Sequence, residues 1–251
     1  MSKSAAADRL LLPIIGVAIA LAIWQGTIGW YGLQRIVLPP PSEVAATLWA
    51  LLGKASFWRD VGVSLKEFLL GYAAGGVLGI LVGVAVGSHA ATRMILGPVI
   101  EAMRFIVPFA WIPLTVLWFG TSLTGKVVLV AYAVFFIMAV TTARAFTTVE
   151  PTLLRVGTML GMRPWEIALK IRLRAAAPAI ASGAKAAAAV GWIAVVAAEY
   201  IGASAGLGVM ITNASMSLDT ATVIAGMIMI GLVGAAVSWL VGVLARAWLN
   251  Y

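Results

Sequence analysis

Six apolar runs, Leu10–Trp30, Ser64–Gly87, Ile95–Phe119, Val127–Phe146, Ala176–Ala198 and Thr222–Trp248, dominate the chain, and basic residues gather between them. A helix needs about 20 apolar residues to cross roughly 30 Å of hydrocarbon at 1.5 Å per residue. Each run meets that length. The residues are 63% hydrophobic and 10% charged, a balance that would leave the surface of a soluble domain largely apolar. The expected fold class is therefore all-α, a polytopic membrane protein with six transmembrane helices in a single membrane domain over residues 1–251.

Charge sets the expected orientation. Ten basic residues (Lys3, Arg9, Arg93, Arg144, Arg155, Arg163, Lys170, Arg172, Arg174 and Arg246) fall on one side of the runs. Five (Arg35, Lys54, Arg59, Lys66 and Lys126) fall on the other, and Arg104 and Lys185 lie within spans. The positive-inside rule then places both termini in the cytoplasm. The net charge of +8 is read as topology, so no nucleic-acid partner is expected and the bilayer is. Lys3 and Arg9 before Leu10 to Trp24 resemble the first two regions of a signal peptide. No small-x-small cleavage site follows, and a retained first helix is expected.

Cysteine is absent, which removes disulfides, thiolate metal sites and cysteine nucleophiles. Gly120-Thr-Ser-Leu-Thr-Gly-Lys126 matches most of a phosphate-binding loop, but Val127 stands where a magnesium-ligating hydroxyl is needed. A polar turn with Lys126 anchoring a helix at the outer interface is the better account. The one histidine, His89, has no clustered carboxylates and is read as a solvated turn residue. No metal or catalytic residue is expected.

Four features carry structural or functional expectations. Pro39-Pro40-Pro41-Ser42 stops the chain after the first run, and Ser42 can cap a surface helix from Glu43 to Leu52. Gly71, Gly75, Gly79, Gly83 and Gly87 recur every four residues, about 40° apart around a helix, forming a groove that admits another backbone; packing within the chain is preferred to a subunit interface. Glu101 and Arg104 lie three apart on one helix face and can pair, while Lys185 is expected to snorkel. Glu199, followed by Tyr200, closes the fifth run, where it either holds a gate by hydrogen bonds to neighbouring helices or sits in the outer headgroup layer.

The longest polar stretch, residues 150–174, reads as a bent helix pair. Pro151 and Pro164 suit first helical turns and Gly161 suits a positive-φ stop. Glu166 near the second helix's start and Lys170, Arg172 and Arg174 near its end complement the helix dipole. Trp165, Ile167, Ala168, Leu169 and Ile171 offer apolar bulk to a partner's groove or to a lipid surface, and physical chemistry alone leaves those two occupants equal.

At these residues the chain resembles the permease subunits of bacterial binding-protein-dependent ATP-binding-cassette importers. Their motif, E-A-A-x-x-x-G, nine residues, then I-x-L-P, is matched by Gly161, Ile171 and Leu173. Arg155, Val156, Gly157 and Arg174 depart from it. Leu38-Pro-Pro-Pro-Ser-Glu-Val44, Ser64-Leu65, Pro113-Leu114, Trp118-Phe-Gly120, Ala198-Glu-Tyr-Ile-Gly-Ala203 and Gly206-Leu-Gly208 narrow the resemblance to the nitrate, sulfonate and taurine branch. It implies a type I importer permease in the inner membrane, acting as a homodimer with two cytoplasmic ATPase subunits and a periplasmic substrate-binding protein. ATP and magnesium would sit on the partner ATPase, leaving this chain without a cofactor or enzymatic role. Gly161, Met162, Arg163, Trp165 and Glu166 would form the ATPase-coupling element, and residues 31–63 and 199–221 would be periplasmic. The expected cargo is a small anion, an aliphatic sulfonate or taurine ahead of nitrate. The competing reading is a self-sufficient channel or ion-coupled carrier, which needs polar residues near mid-membrane.

Overall fold

The computed structural model describes residues 12, 15, 16, 18–28, 37–200 and 203–249, and every regular element among them is a helix. Four helices are long and apolar enough to cross a membrane, and a bent pair supplies a fifth crossing if it counts as one span. The first expected span, Leu10–Trp30, lies partly outside the described residues; the part inside carries the short helix α1, Ala18–Ile28.

The described residues group into two compact units, one drawn from Met1–Trp58 with Met210–Met229 and the other from Arg59–Val209 with Ile230–Tyr251. In the first, α2 spans Pro41–Leu52, with Pro40 extended at the cap and Pro41 as the first helical residue. Ser42 therefore lies inside the first turn and caps nothing, because Pro41, with φ already fixed and no N–H to satisfy, starts the helix before it. Val44 and Leu51 are buried and Trp49 is exposed. The Trp58 indole donates to the Leu52 carbonyl (2.9 Å), closing the turn after α2. Helix α10, Leu207–Met216, is followed by Leu218 at φ 57° and by Asp219, which caps α11, Thr220–Leu249, by accepting from the Thr222 N–H at 3.1 Å. Gly226 leaves room for Ile211, whose Cγ1 would lie 2.7 Å from an added Cβ.

The larger unit contains α3 (Ala55–Ser88) from Arg59 on, α4 (Ala90–Met103), a 3-10 turn (Pro108–Trp111), α5 (Ile112–Phe119), α6 (Leu123–Thr147), α7 (Pro151–Met159), α8 (Pro164–Glu166) and α9 (Leu173–Tyr200), the last two joined by a π-helical segment, Ile167–Arg172, together with the start of α10 and α11 from Ile230 on. The third expected span, Ile95–Phe119, is not straight: Ala90–Met103 and Pro108–Phe119 meet at 87°. Val107, which precedes Pro108, is extended, the conformation that a following proline favours. The Tyr132 hydroxyl pins the break by donating to the Met103 carbonyl at 2.8 Å.

The core is a parallel pair, α3 beside α6. The Glu67–Lys126 ion pair joins residues 59 apart, and the same offset continues down both helices with Gly71 on Val130, Gly79 on Met138, Gly83 on Thr142 and Gly87 on Phe146. An added Cβ at these glycines would lie 2.5–2.7 Å from the facing Cβ. At Gly75 it would strike the Ala131 carbonyl oxygen, with the Ala131 Cα at 2.9 Å. Between lipid-solvated helices, dispersion at close approach is a main source of attraction, and glycine permits that approach. Helix α9 runs antiparallel to α6, with Gly183 on Thr141 and Gly191 on Val134, while Gly234 of α11 accommodates the Trp192 ring. Val130, Val134, Ala187, Ala188 and Val195 are fully enclosed there.

Because the Ala131 backbone cannot yield as a side chain does, Gly75→Ala should destabilise the protein by about 1–3 kcal/mol through overpacking. Gly76→Ala, whose Cβ meets nothing within 4 Å, should be close to neutral. Thermal unfolding of the two variants in detergent checks the pair; equal midpoints would contradict the assigned register.

Candidate functional site

Two polar regions lie at opposite ends of the α3–α6–α9 core. At the end holding the start of α6 and the end of α9, Asp60, Ser64 and Glu67 follow the i, i+4, i+7 spacing that aligns side chains on one helix face, and the glycine stripe extends that face. The Glu199 carboxylate, 1% exposed, accepts from the Ser64 hydroxyl (2.5 Å) and from the Gly208 N–H (2.8 Å). Ser64 Oγ in turn accepts from the Leu207 N–H at 3.0 Å, and the Asp60 carboxylate from the Gly206 N–H at 3.1 Å. Gly206 has φ 130°, and a Cβ there or on Gly208 would collide with Glu199. The Gly206-Leu207-Gly208 backbone thus closes directly over the carboxylate, tying the end of α9 to α3 and to the start of α10.

Beside this clasp, Glu67 Oε1 pairs with Lys126 Nζ at 2.6 Å, both side chains nearly enclosed. Lys126, the fourth residue of α6, is therefore not an outer interface anchor: it is enclosed against α3, where Glu67 neutralises it. Gly120, at φ 64°, makes the turn before α6. Glu199 is likewise enclosed, hydrogen-bonded to its neighbours, and Tyr200 beside it is exposed. Sequence reasoning did not single out Asp60 or Glu67, although their spacing ahead of Gly71 was the available signal.

At the other end, the residues expected to couple to an ATPase form one continuous bend. Helix α7 stops in a Schellman arrangement, with the Gly161 N–H donating to Thr158 O (3.0 Å) and the Met162 N–H to Gly157 O (3.1 Å). Gly161 takes φ 74°, a value that costs other residues roughly 1–2 kcal/mol. Gly157 faces Ile171, whose Cδ1 would lie 2.7 Å from an added Cβ, so the two arms close on each other. The Arg163 N–H donates to Glu166 Oε2 (2.9 Å) and Lys170 Nζ to Glu166 Oε1 (3.0 Å), which spends Glu166 on the start of its own helix. Arg155 is exposed. The apolar residues on the bend remain open: Met159 is 84%, Leu160 74% and Trp165 56% exposed.

Glu101 and Arg104 pair at 2.6 Å, and Arg144 of α6 adds a second contact to Glu101 at 3.1 Å. The Lys185 side chain lies along Gly242 of α11. Among the described residues no cluster of three or more histidines, cysteines or carboxylates forms a metal-binding group.

Residues 75–250 match the family model described as the binding-protein-dependent transport system inner membrane component. This chain belongs to that family. It is thus the permease subunit of an ATP-binding-cassette importer, and the carrier and channel readings give way. The permease is 32% identical over 230 residues to the taurine transport system permease protein TauC of Escherichia coli, covering 90% of this chain and 84% of that one. It is 31% identical over 242 residues to the putative aliphatic sulfonates transport permease protein SsuC of Bacillus subtilis, covering 96% and 86%. The fold resembles a chain of the inward-facing MetNI methionine transporter (TM-score 0.64, 19% identity, 75% of this chain and 94% of that one). It also resembles a chain of a bacterial transporter that imports alginate (TM-score 0.62, 16% identity, 95% and 99%). The permease thus has the type I importer fold.

Removing one partner of an enclosed ion pair strands the other, at about 3–5 kcal/mol. Lys126→Met should therefore lower the unfolding midpoint markedly, and adding Glu67→Gln should restore most of the loss. Additive effects in this double-mutant cycle would show that the two side chains do not interact.

Proposed function

We propose that the permease lines the path of a small anion, an aliphatic sulfonate or taurine ahead of nitrate, delivered by a periplasmic binding protein and driven by a cytoplasmic ATPase docked on residues 150–174. The observation that carries the coupling is the exposed apolar bend itself. The helix Pro164–Tyr200 has 37 residues and so runs about 55 Å, well beyond the roughly 30 Å of hydrocarbon. Its first turns, with α7, therefore have length to project from the membrane. Met159, Leu160 and Trp165 crown that projection, and a rigid bend with an apolar crown suits a groove on a protein partner.

In this reading Gly161 sets the angle of the bend, Met162, Arg163 and Trp165 touch the ATPase, and Glu166 keeps the second arm helical. Closure of two ATPases pulls on two copies of the permease, a homodimer, and α9 transmits the pull as one long helix. The Glu199 clasp moves the far ends of α3 and α9 together, so that gating occurs by displacement of packed helices rather than by melting of one end. ATP and magnesium act on the ATPase. Both termini and residues 150–174 face the cytoplasm, and residues 31–63 and 199–221 face the periplasm. The names of the taurine and sulfonate relatives support the choice of cargo.

Trp165→Glu places a charge in the apolar contact and should reduce co-purification of the cognate ATPase about tenfold or more; Gly161→Val, strained at its φ, should reduce it as well. Unchanged co-purification of Trp165→Glu would overturn docking by this bend. ATP-dependent uptake of taurine and ethanesulfonate by vesicles holding the assembled transporter checks the cargo, and uptake of neither would overturn that assignment.

A further inference from the structure

Arg104 and Arg144 line one open cavity of about 650 Å³ along α6, together with Phe105, Tyr132, Phe136 and Thr141. That volume lies within the range of about 300–1,000 Å³ typical of small-molecule sites. A second cavity, about 190 Å³, lies beside it: Val140 and Arg144 line both, and Arg93 and Glu101 line the second. Three arginines thus line two neighbouring cavities along α6.

We propose that Arg104 and Arg144 form an anion-binding station inside the permease, at which the sulfonate group of the cargo exchanges with the Glu101 carboxylate. This rests on the reading of the chain as an anion importer and adds a recognition site within the membrane subunit itself.

The geometry supplies the chemistry. Glu101 bridges the two guanidinium groups, through Arg104 Nε at 2.6 Å and Arg144 Nη2 at 3.1 Å. Each ion pair engages one nitrogen, and a guanidinium presents five N–H donors in a planar fork suited to oxyanions. Arg104 also lies over the Phe105 ring, 4.8 Å from its centroid, which orients the fork. The three side chains are partly open to solvent, so an incoming anion can reach them. Two guanidinium groups held this close repel each other; Glu101 acts as a built-in stand-in anion when the cargo is absent. The same carboxylate keeps the station weak, as transport demands of any site that cargo must leave as well as enter.

Binding of ethanesulfonate to the permease–ATPase complex in nanodiscs, followed by saturation-transfer NMR, tests the station. Wild type should bind saturably in the millimolar range. Arg104→Gln with Arg144→Gln should weaken binding at least tenfold, and Arg104→Lys with Arg144→Lys should keep it within a few fold. Glu101→Gln, which removes the competitor, should tighten binding several-fold, a gain that a misfolded variant cannot produce. Absence of saturable binding to wild type, unchanged binding after both arginines are neutralised, or weaker binding by Glu101→Gln would overturn the proposal. ATPase retained in the same preparations separates such a result from failure of the docking bend, and vesicle uptake of ethanesulfonate separates it from failure of the cargo assignment.

Discussion

The parallel contact between α3 and α6 is the constraint on which the rest depends. Lipid offers helices no water to escape from, so they associate through close packing and through polar groups that need partners. The glycine stripe supplies the first and Glu67–Lys126 the second, and both use one register. A slip of one residue would turn the glycines away from α6 and leave an enclosed carboxylate and an enclosed ammonium facing hydrocarbon. Close packing and charge neutralisation thus enforce the same alignment.

That alignment places both functional ends. Fixing α3 against α6 brings Asp60 and Ser64 under the turn after α9, where the Gly206–Gly208 backbone and Glu199 satisfy each other. It also sets the end of α6 from which α7 departs, and so the position of the bend at Gly161. The two ends differ in character. The clasp pairs Ser64, Asp60 and Glu199 with one another or with the Gly206–Gly208 backbone and hides the Glu199 carboxylate, as suits a rigid joint; the bend leaves large apolar side chains open, as suits a surface completed by a partner. Between them, the broken span after Met103 opens the arginine-lined cavity beside α6.

Much of this was legible in the chain. Run length and charge bias pointed to the helical membrane class, and prolines and glycine pointed to the two arms and the stop of the bend at Gly161, because each acts through local backbone preference. The Glu101–Arg104 pair followed from spacing on one helix. What escaped was anything depending on a distant segment. Lys126 read as an interface anchor because its partner lies 59 residues earlier, and Ile95–Phe119 read as one span because hydropathy does not register the turn at Val107. Ser42 suits a cap by residue type, but Pro41 at the first helical position starts the helix before it.

The sequence by itself determined what kind of object this is: helices for a bilayer, a basic side, a bend at Gly161, and motif spacings that resemble one family of permeases. These properties are local or periodic and survive in one dimension. Only the tertiary structure decided which face of α3 meets α6, that Glu199 is held by the Ser64 hydroxyl and the Gly208 N–H, and that Arg144 joins Arg104 about a single carboxylate. Those depend on register between helices far apart in the chain, which packing at the glycine stripe settles and no local pattern encodes.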